Sequence, residues 1–398
     1  GWIVLVILLW GIEPALSWKE FRGQWLTALG AGIVGYMLAR AALKDLSDRP
    51  HALLMTVFWA LMAQVLLHDI LGAIYWAVTG DFPFRQAPVL YLPDLWRAWV
   101  QGTPLLDVFT GTSPDKFSYV NNTLAALLVA ELAQRLLLRK SWLGCSNGLL
   151  VVAASAVLLC SYWLQMRNGN VGLLLLLAMA ALMLAIRLAS RWGAARVLLG
   201  LFIVMAAIAA LAQAMVQSDA RWQKLAKTIP IALDTDSHRV WLTRDANYPR
   251  MTPGDVVDVS AYERIAWGKE GVKLISDRPM GSGYNRNAFG DGVDRKYEQQ
   301  GRARGGHAHS GVIDFTIANG VVGLVLWIGF LGSVFYVGWQ TFRGDQVAQG
   351  LTLMFLVSGF MGRSIVDSNI RDHVLQQFFF LAMLFYGLTT RSQNRLNS

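Results

Sequence analysis

Long apolar runs recur along this chain, and most of them approach the length that a bilayer demands. Ten are counted, at roughly 2–17, 24–42, 52–79, 117–138, 146–165, 169–188, 196–217, 311–339, 347–362 and 374–390. A helix needs about 20 apolar residues to cross ~30 Å of hydrocarbon. The runs therefore predict an all-α, polytopic membrane helical bundle. The run at 52–79 is long enough to cross at a tilt. Hydrophobic residues make up 55% of the 398 residues and charged ones only 15%, far from what a soluble core requires. Trp18, Trp76, Trp163 and Trp339 sit near run ends, where interfacial aromatics belong.

Short-loop charge sets the expected orientation. Arg40, Lys44, Arg49, Arg135, Arg139, Lys140, Arg187, Arg191, Arg196, Arg343, Arg391 and Arg395 fall on one side. The alternate loops balance acids and bases. The first set is expected inside, with both ends of the chain. The loop 80–116, the turn Arg167-Asn-Gly-Asn170, the long insert 218–310 and the connection from Arg363 to His373 are then external. This divides the chain into an N-terminal transmembrane bundle (1–217), an external domain (218–310) and C-terminal transmembrane helices (311–398). Gly1 opens directly in an apolar run, so the numbering is expected to begin inside a longer chain. The pI of 9.7 does not point to nucleic acid, because the basic residues are spread over many loops rather than one face.

The insert carries the chemistry-bearing residues. It has a helix from Ser260 to Asp277, with Ser260 and Glu263 read as a capping box. Pro279 must end that helix. A tight turn follows, Pro279-Met-Gly-Ser-Gly-Tyr-Asn285, then a basic coil, then Gly306-His-Ala-His-Ser310 at the mouth of the next apolar run. The order of glycines in Gly281-Ser-Gly283 is not that of a dinucleotide loop, because it follows a helix rather than a strand. It serves either a close backbone approach or a plain turn. Asp69 and Asp314 lie within predicted spans, where ionisable groups are functional candidates. Helical position puts Asp314 and His309 on different faces.

Three stretches resemble a known family. The run from Tyr262 to Gly283 resembles its arginine helix and Pro-x-Gly-x-Gly turn. The run from His309 to Leu324 resembles its His-Asn-x-x-Leu…Gly-x-x-Gly helix. The apolar run ending in Gln165-Met-Arg167 resembles the segment before its Ser-Arg-Gly-Ala turn. Together these resemble the O-antigen ligase and polymerase superfamily of bacterial inner membranes. Two positions depart from the pattern: Asn-Gly-Asn follows Arg167, and Ser310 follows His309.

The resemblance implies a bundle of about twelve spans, two of them before Gly1, and a mostly helical periplasmic insert. It implies an inverting, metal-independent glycosyltransferase of the inner membrane with no cofactor and a periplasmic active site. Its donor would be a glycan on undecaprenyl pyrophosphate, its acceptor the lipid A–core oligosaccharide, and membrane lipid would surround it. The departing pyrophosphate needs donors already in place, and arginine's planar fork suits phosphate oxygens. Arg264 and Arg167 are the candidates. The plainer alternatives are a surface pair of Arg264 with Glu263 or Glu270, and an Arg167 that merely caps a helix turn. The acceptor hydroxyl needs a base. Histidine, with an unperturbed pKa of about 6.5, suits that task, and His309 is the candidate. Its alternative is an interfacial histidine ending a helix. Tyr284, Asn285, Arg363, Asp367 and Arg371 are candidate cavity-lining residues, with Asp372 and His373 beside them; solvated loop charge is the alternative. A metal site is not expected, since no second cluster beside His307 and His309 has ligand spacing. An O-antigen polymerase or a pilin glycan ligase would use the same arginines. A lipid-linked glycan transporter predicts inverted repeats, and no repeat is visible in the sequence.

Overall fold

The computed structural model describes residues 1–45, 51–79, 114–164, 166–218, 220–243, 247–252, 255–298, 306–371 and 373–396. The expected loop 80–116 is therefore almost wholly outside the described residues, as are Asp48, Arg49, Gln165, Asp372 and most of the basic coil before Gly306. The architecture is helical, with one two-stranded antiparallel sheet among the described residues, β1 (Arg250–Thr252) with β2 (Asp255–Val256). Seven helices are long and apolar enough to cross a membrane among the described residues. Their outward faces carry large apolar side chains: Phe202 is 71% exposed and Leu198 63%. A water-soluble protein would not leave such a band uncovered.

The first apolar run is not one continuous helix. It breaks into α1 (Trp2–Leu9) and α2 (Pro14–Phe21). Pro14 fixes the start of the second helix, because a proline without an N–H fits the first helical turn. α2 passes through a π-helical turn at Arg22–Leu26 into α3 (Thr27–Asp45), so the first span is Pro14–Lys44. The following helices are α4 (His51–Thr79), α5 (Pro114–Leu138), α6 (Asn147–Leu164), α7 (Arg167–Trp192) and α8 (Ala194–Ser218). α5 has the length of a span but carries Glu131 and Arg135. Then come α9 (Ala220–Leu233), α10 (Val240–Thr243), α11 (Val259–Asp277) and α12 (Ala288–Tyr297). Last are α13 (Gly311–Arg343), α14 (Val347–Val366) and α15 (His373–Leu396). The expected turn Arg167-Asn-Gly-Asn170 is instead the first turn of α7, capped by Met166 in an extended conformation.

The chain divides into two compact units. The first comprises Gly1–Gly32, Ala209–Ser333 and Phe360–Phe380, and the second the remaining residues. In the second unit α5 is central, packed against α4, α6 and α7. Its Glu131 is fully buried and accepts hydrogen bonds from the Trp142 and Leu143 N–H groups at 2.8 and 2.9 Å, and from Arg135 Nε at 2.6 Å. Those bonds close the connector between α5 and α6 and satisfy a carboxylate that burial would otherwise penalise. In the first unit, α11 packs on α9 and α12. Its buried residues Tyr262, Ala266, Trp267, Glu270 and Gly271 recur at helical spacing.

Candidate functional site

The first unit holds the site, and α11 is its base. The helix starts earlier than the capping-box reading placed it. Asp258 is the N-cap, its side chain accepting from the Ala261 N–H at 3.0 Å. Glu263 accepts from the Tyr248 hydroxyl at 2.7 Å. The cap sits two residues before Ser260 because Asp258 already has the extended backbone that an N-cap requires. The other end agrees with expectation: α11 stops at Asp277, just before Pro279.

After α11, residues 279–283 dock into a break in the next membrane helix. α13 is interrupted at Gly320, whose backbone (φ 73°, ψ 174°) lies outside the helical region. The Ser282 N–H donates to Ile317 O at 3.0 Å and the Gly283 N–H to Ala318 O at 3.1 Å, while the Val321 N–H donates to Pro279 O at 2.9 Å. A Cβ on Gly320 would lie 2.5 Å from the Met280 carbonyl carbon, and one on Gly281 2.7 Å from Ala318 O. The glycines of the Pro-x-Gly-x-Gly turn thus permit backbone to approach backbone. On its other side the turn meets the N-terminal segment, where the Ile12 N–H donates to Ser282 O at 2.9 Å.

His309 is not on a helix. It precedes α13 and has φ 51°, a left-handed conformation rare for a non-glycine residue. Its imidazole lies flat against Trp267, with ring centroids 5.3 Å apart and planes 8° apart. Trp267 is fully buried, anchored by its indole N–H to Trp241 O at 2.9 Å. It stands one helical turn after Arg264, so the two project from the same side of α11. The His307 ring is 4.1 Å from that of His309, and the His309 N–H donates to His307 Nδ1 at 3.2 Å.

Asp314 and His309 do not lie on two faces of one helix, the arrangement expected from the sequence, because only Asp314 is helical. Asp314 Oδ1 accepts from the Ala308 N–H at 2.8 Å, and Oδ2 from the Ser368 hydroxyl. One carboxylate therefore ties the backbone beside His309 to the turn after α14. The Gly311 N–H donates to Asp367 O at 2.9 Å, and Ser310 Oγ to Ser364 O at 3.2 Å, reinforcing the same junction.

That turn also meets Arg264, whose Nη1 lies 3.4 Å from Val366 O. The carboxylates considered as its surface partners have other contacts. Glu270 is buried and accepts from Lys273 Nζ at 2.8 Å and from the Tyr297 hydroxyl at 2.5 Å. Burial pushes the Glu270 carboxyl up, but hydrogen bonds from Lys273, Thr235 and Tyr297 outweigh it and hold the group below its usual range. Arg363 and Asp367 form a largely shielded ion pair at 3.0 Å, not a solvated charge cluster. Arg371 Nη2 donates to Asn287 Oδ1 at 3.1 Å, and His373 opens α15 with Nδ1 at 3.2 Å from Gln376 Oε1.

The two remaining lining candidates differ in setting. Tyr284 is buried edge-on against Trp25, ring centroids 6.1 Å apart, and burial raises its phenol above the ordinary range. Asn285 donates to Asp291 and borders a small cleft with Ser282, Gly283 and Arg295. Arg167 belongs to the second unit, at the start of α7. There the Gly169 carbonyl accepts from Asn122 Nδ2 at 2.9 Å, and a Cβ on Gly169 would meet Ser118 at 2.8 Å, so the start of α7 is pinned to α5.

Asp314 was singled out as an ionisable group within a span, but Trp267, Ser368 and Asn287 were missed as site residues. Only Trp267 left a usable signal, as an aromatic three residues beyond Arg264 on a helix. The expectation that no ligand cluster exists also needs correction. His68, Asp69 and Cys160 come together in the second unit, with donor atoms all within 4.8 Å of one another. Sequence spacing hid this, because Cys160 reaches the site from another helix.

Residues 149–328 match the family model described as O-antigen ligase. The likeness read from the sequence holds over that stretch, which runs from α6 into α13 and includes Arg167, Arg264 and His309. No curated protein matches the chain.

Proposed function

We propose that this chain, whose residues 149–328 carry the O-antigen ligase family match, moves a glycan from undecaprenyl pyrophosphate to the lipid A–core oligosaccharide at the periplasmic face of the inner membrane. The match itself supports a multi-span membrane enzyme of the O-antigen ligase and polymerase superfamily. The observation that carries the finer reading is the stack of His309 on Trp267, one turn from Arg264. It joins a cation suited to pyrophosphate with a base suited to a hydroxyl.

In this reading the acceptor hydroxyl attacks the anomeric carbon of the donor sugar. The new carbon–oxygen bond forms as the bond to phosphate breaks, with inversion. The hydroxyl proton passes to the His309 imidazole, and undecaprenyl pyrophosphate departs. Arg264 stabilises the charge growing on the leaving oxygen, the term that usually dominates such catalysis. Asp314 and Trp267 position His309, so little reorganisation is needed at the moment of transfer. Arg167 is assigned to the pyrophosphate on the family likeness alone. Arg371 and the Arg363–Asp367 pair line the acceptor side. The step requires neither nucleotide nor metal, because the donor is already activated.

The test is purified protein with carrier-linked glycan and lipid A–core acceptor, with products resolved by mass. Glycan on the core supports ligation. Longer glycan still on the carrier assigns the chain to polymerisation, and glycan on added pilin assigns it to protein glycosylation. No transfer in any arm rejects the reading.

A further inference from the structure

His68 and Asp69 lie on α4 within the span Ala52–Ile74, and Cys160 lies on α6 within the span Asn147–Leu164. All three are buried, His68 and Cys160 completely. Ionisable groups at such positions are costly and call for a partner. Among the described residues, hydrogen bonding within the group is limited to the long contact of His68 Nδ1 with Cys160 Sγ. His68 Nδ1 is 3.6 Å from Asp69 Oδ1, beyond hydrogen-bond length. Among the described residues, neither Asp69 oxygen nor His68 Nε2 has a hydrogen-bond partner. Neighbouring residues on a helix normally diverge, yet these two donors converge, and Cys160 Sγ completes the group at 3.7 Å from His68 Nδ1.

We propose that His68, Asp69 and Cys160 bind a zinc-class divalent cation that joins α4 to α6. Tetrahedral zinc, with bonds of about 2.0–2.1 Å to nitrogen or oxygen and about 2.3 Å to sulfur, needs its donors roughly 3.3–3.6 Å apart. The His68–Asp69 and His68–Cys160 separations of 3.6 and 3.7 Å lie close to that, and all three donors lie within 4.8 Å of one another. Imidazole, thiolate and carboxylate form a zinc donor set, whereas magnesium and calcium take oxygen alone. The charges also balance. A dication with a thiolate, a carboxylate and a neutral imidazole gives a site of zero net charge, the state that apolar surroundings favour. On binding, the Cys160 thiol loses its proton to solvent and its sulfur bonds the metal, with no change of oxidation state. A fourth position remains for water. Phe117 on α5 stacks on the His68 ring, centroids 4.6 Å apart, and holds its plane. None of these residues takes part in the transfer proposed above.

The test is elemental analysis of full-length protein, purified in detergent through a tag without histidine. One zinc per chain is expected in the wild type, falling to background in Cys160→Ser and in Asp69→Asn. Wild type loaded with cobalt in place of zinc should show a thiolate-to-cobalt charge-transfer band and the strong visible bands of a four-coordinate ion. The cobalt arm does not depend on the variants folding. Cys160→Ser should keep transferring glycan while losing thermal stability, which separates this site from the transfer reading. Wild type that stays substoichiometric after added zinc overturns the proposal. So does full zinc in Cys160→Ser, or bound cobalt without the charge-transfer band.

Discussion

The His309 imidazole lies parallel to the Trp267 indole, 5.3 Å between centroids. A left-handed backbone at His309 would be disfavoured in isolation. The surroundings hold it: the Ala308 N–H is taken by Asp314, the His309 N–H by His307, and the Gly311 N–H by Asp367. A residue kept in a sparse region by this many contacts is where a functional constraint is expected.

Arg264→Ala should reduce transfer by about 10²–10³-fold, the usual loss when one charge-stabilising donor is removed. The protein should still insert and fold, because the contact of Arg264 to Val366 O is long, at 3.4 Å. Arg264→Lys should recover only part of the rate, since the charge survives and the fork does not. Initial rates of the three proteins, with insertion checked by membrane yield, decide this. A near-normal rate in the alanine variant removes Arg264 from the site.

Asp314→Ala should slow transfer on the order of 10²-fold by misplacing the base. Among the described residues, the carboxylate reaches the site through the Ala308 N–H and the Ser368 hydroxyl. Combined with His309→Ala it should add little further loss, because both changes disable one unit. A double-mutant cycle on transfer rate measures this. Additive losses would show that Asp314 acts elsewhere.

Most of the spans, the end of α11 at Pro279 and the order of the site segments were legible in the sequence because each depends on local pattern. The break at Gly320 was not, since a glycine inside an apolar run reads as a tolerated residue. Only the docking of residues 279–283 against it reveals the need for positive φ. The Trp267–His309 stack, the Asp314 clamp and the convergence of Cys160 on His68 join residues from 6 to 92 positions apart. Periodicity carries no trace of such pairings. The Asp258 cap was overlooked because Ser260 and Glu263 matched a capping pattern that tertiary bonding of Glu263 to Tyr248 overrides.

Gly320→Ala should destabilise the protein by about 1–3 kcal/mol, from the strained backbone and the 2.5 Å approach to Met280. Gly329→Ala on the same helix meets nothing within 4 Å and serves as the control. Apparent melting temperatures in detergent compare the two. Equal values would mean that the break is not required.

Glu270 gives a pH signature. Its folded carboxyl is held below the usual range, with hydrogen bonds outweighing burial. A depressed folded pKa contributes stability above the unfolded value of about 4.3, and that contribution disappears as pH falls through the folded value. Wild type should thus lose more apparent melting temperature than Glu270→Gln on acidification from neutral pH to below that range. Parallel curves for the two proteins would contradict the assignment.

The most direct test is single-turnover transfer by His309→Ala saturated with carrier-linked glycan. Saturation removes any difference in carrier affinity and leaves the chemical step. The account predicts a rate on the order of 10²–10⁴-fold below wild type, the usual contribution of a positioned base. A wild-type rate at saturation would contradict it and place the base elsewhere.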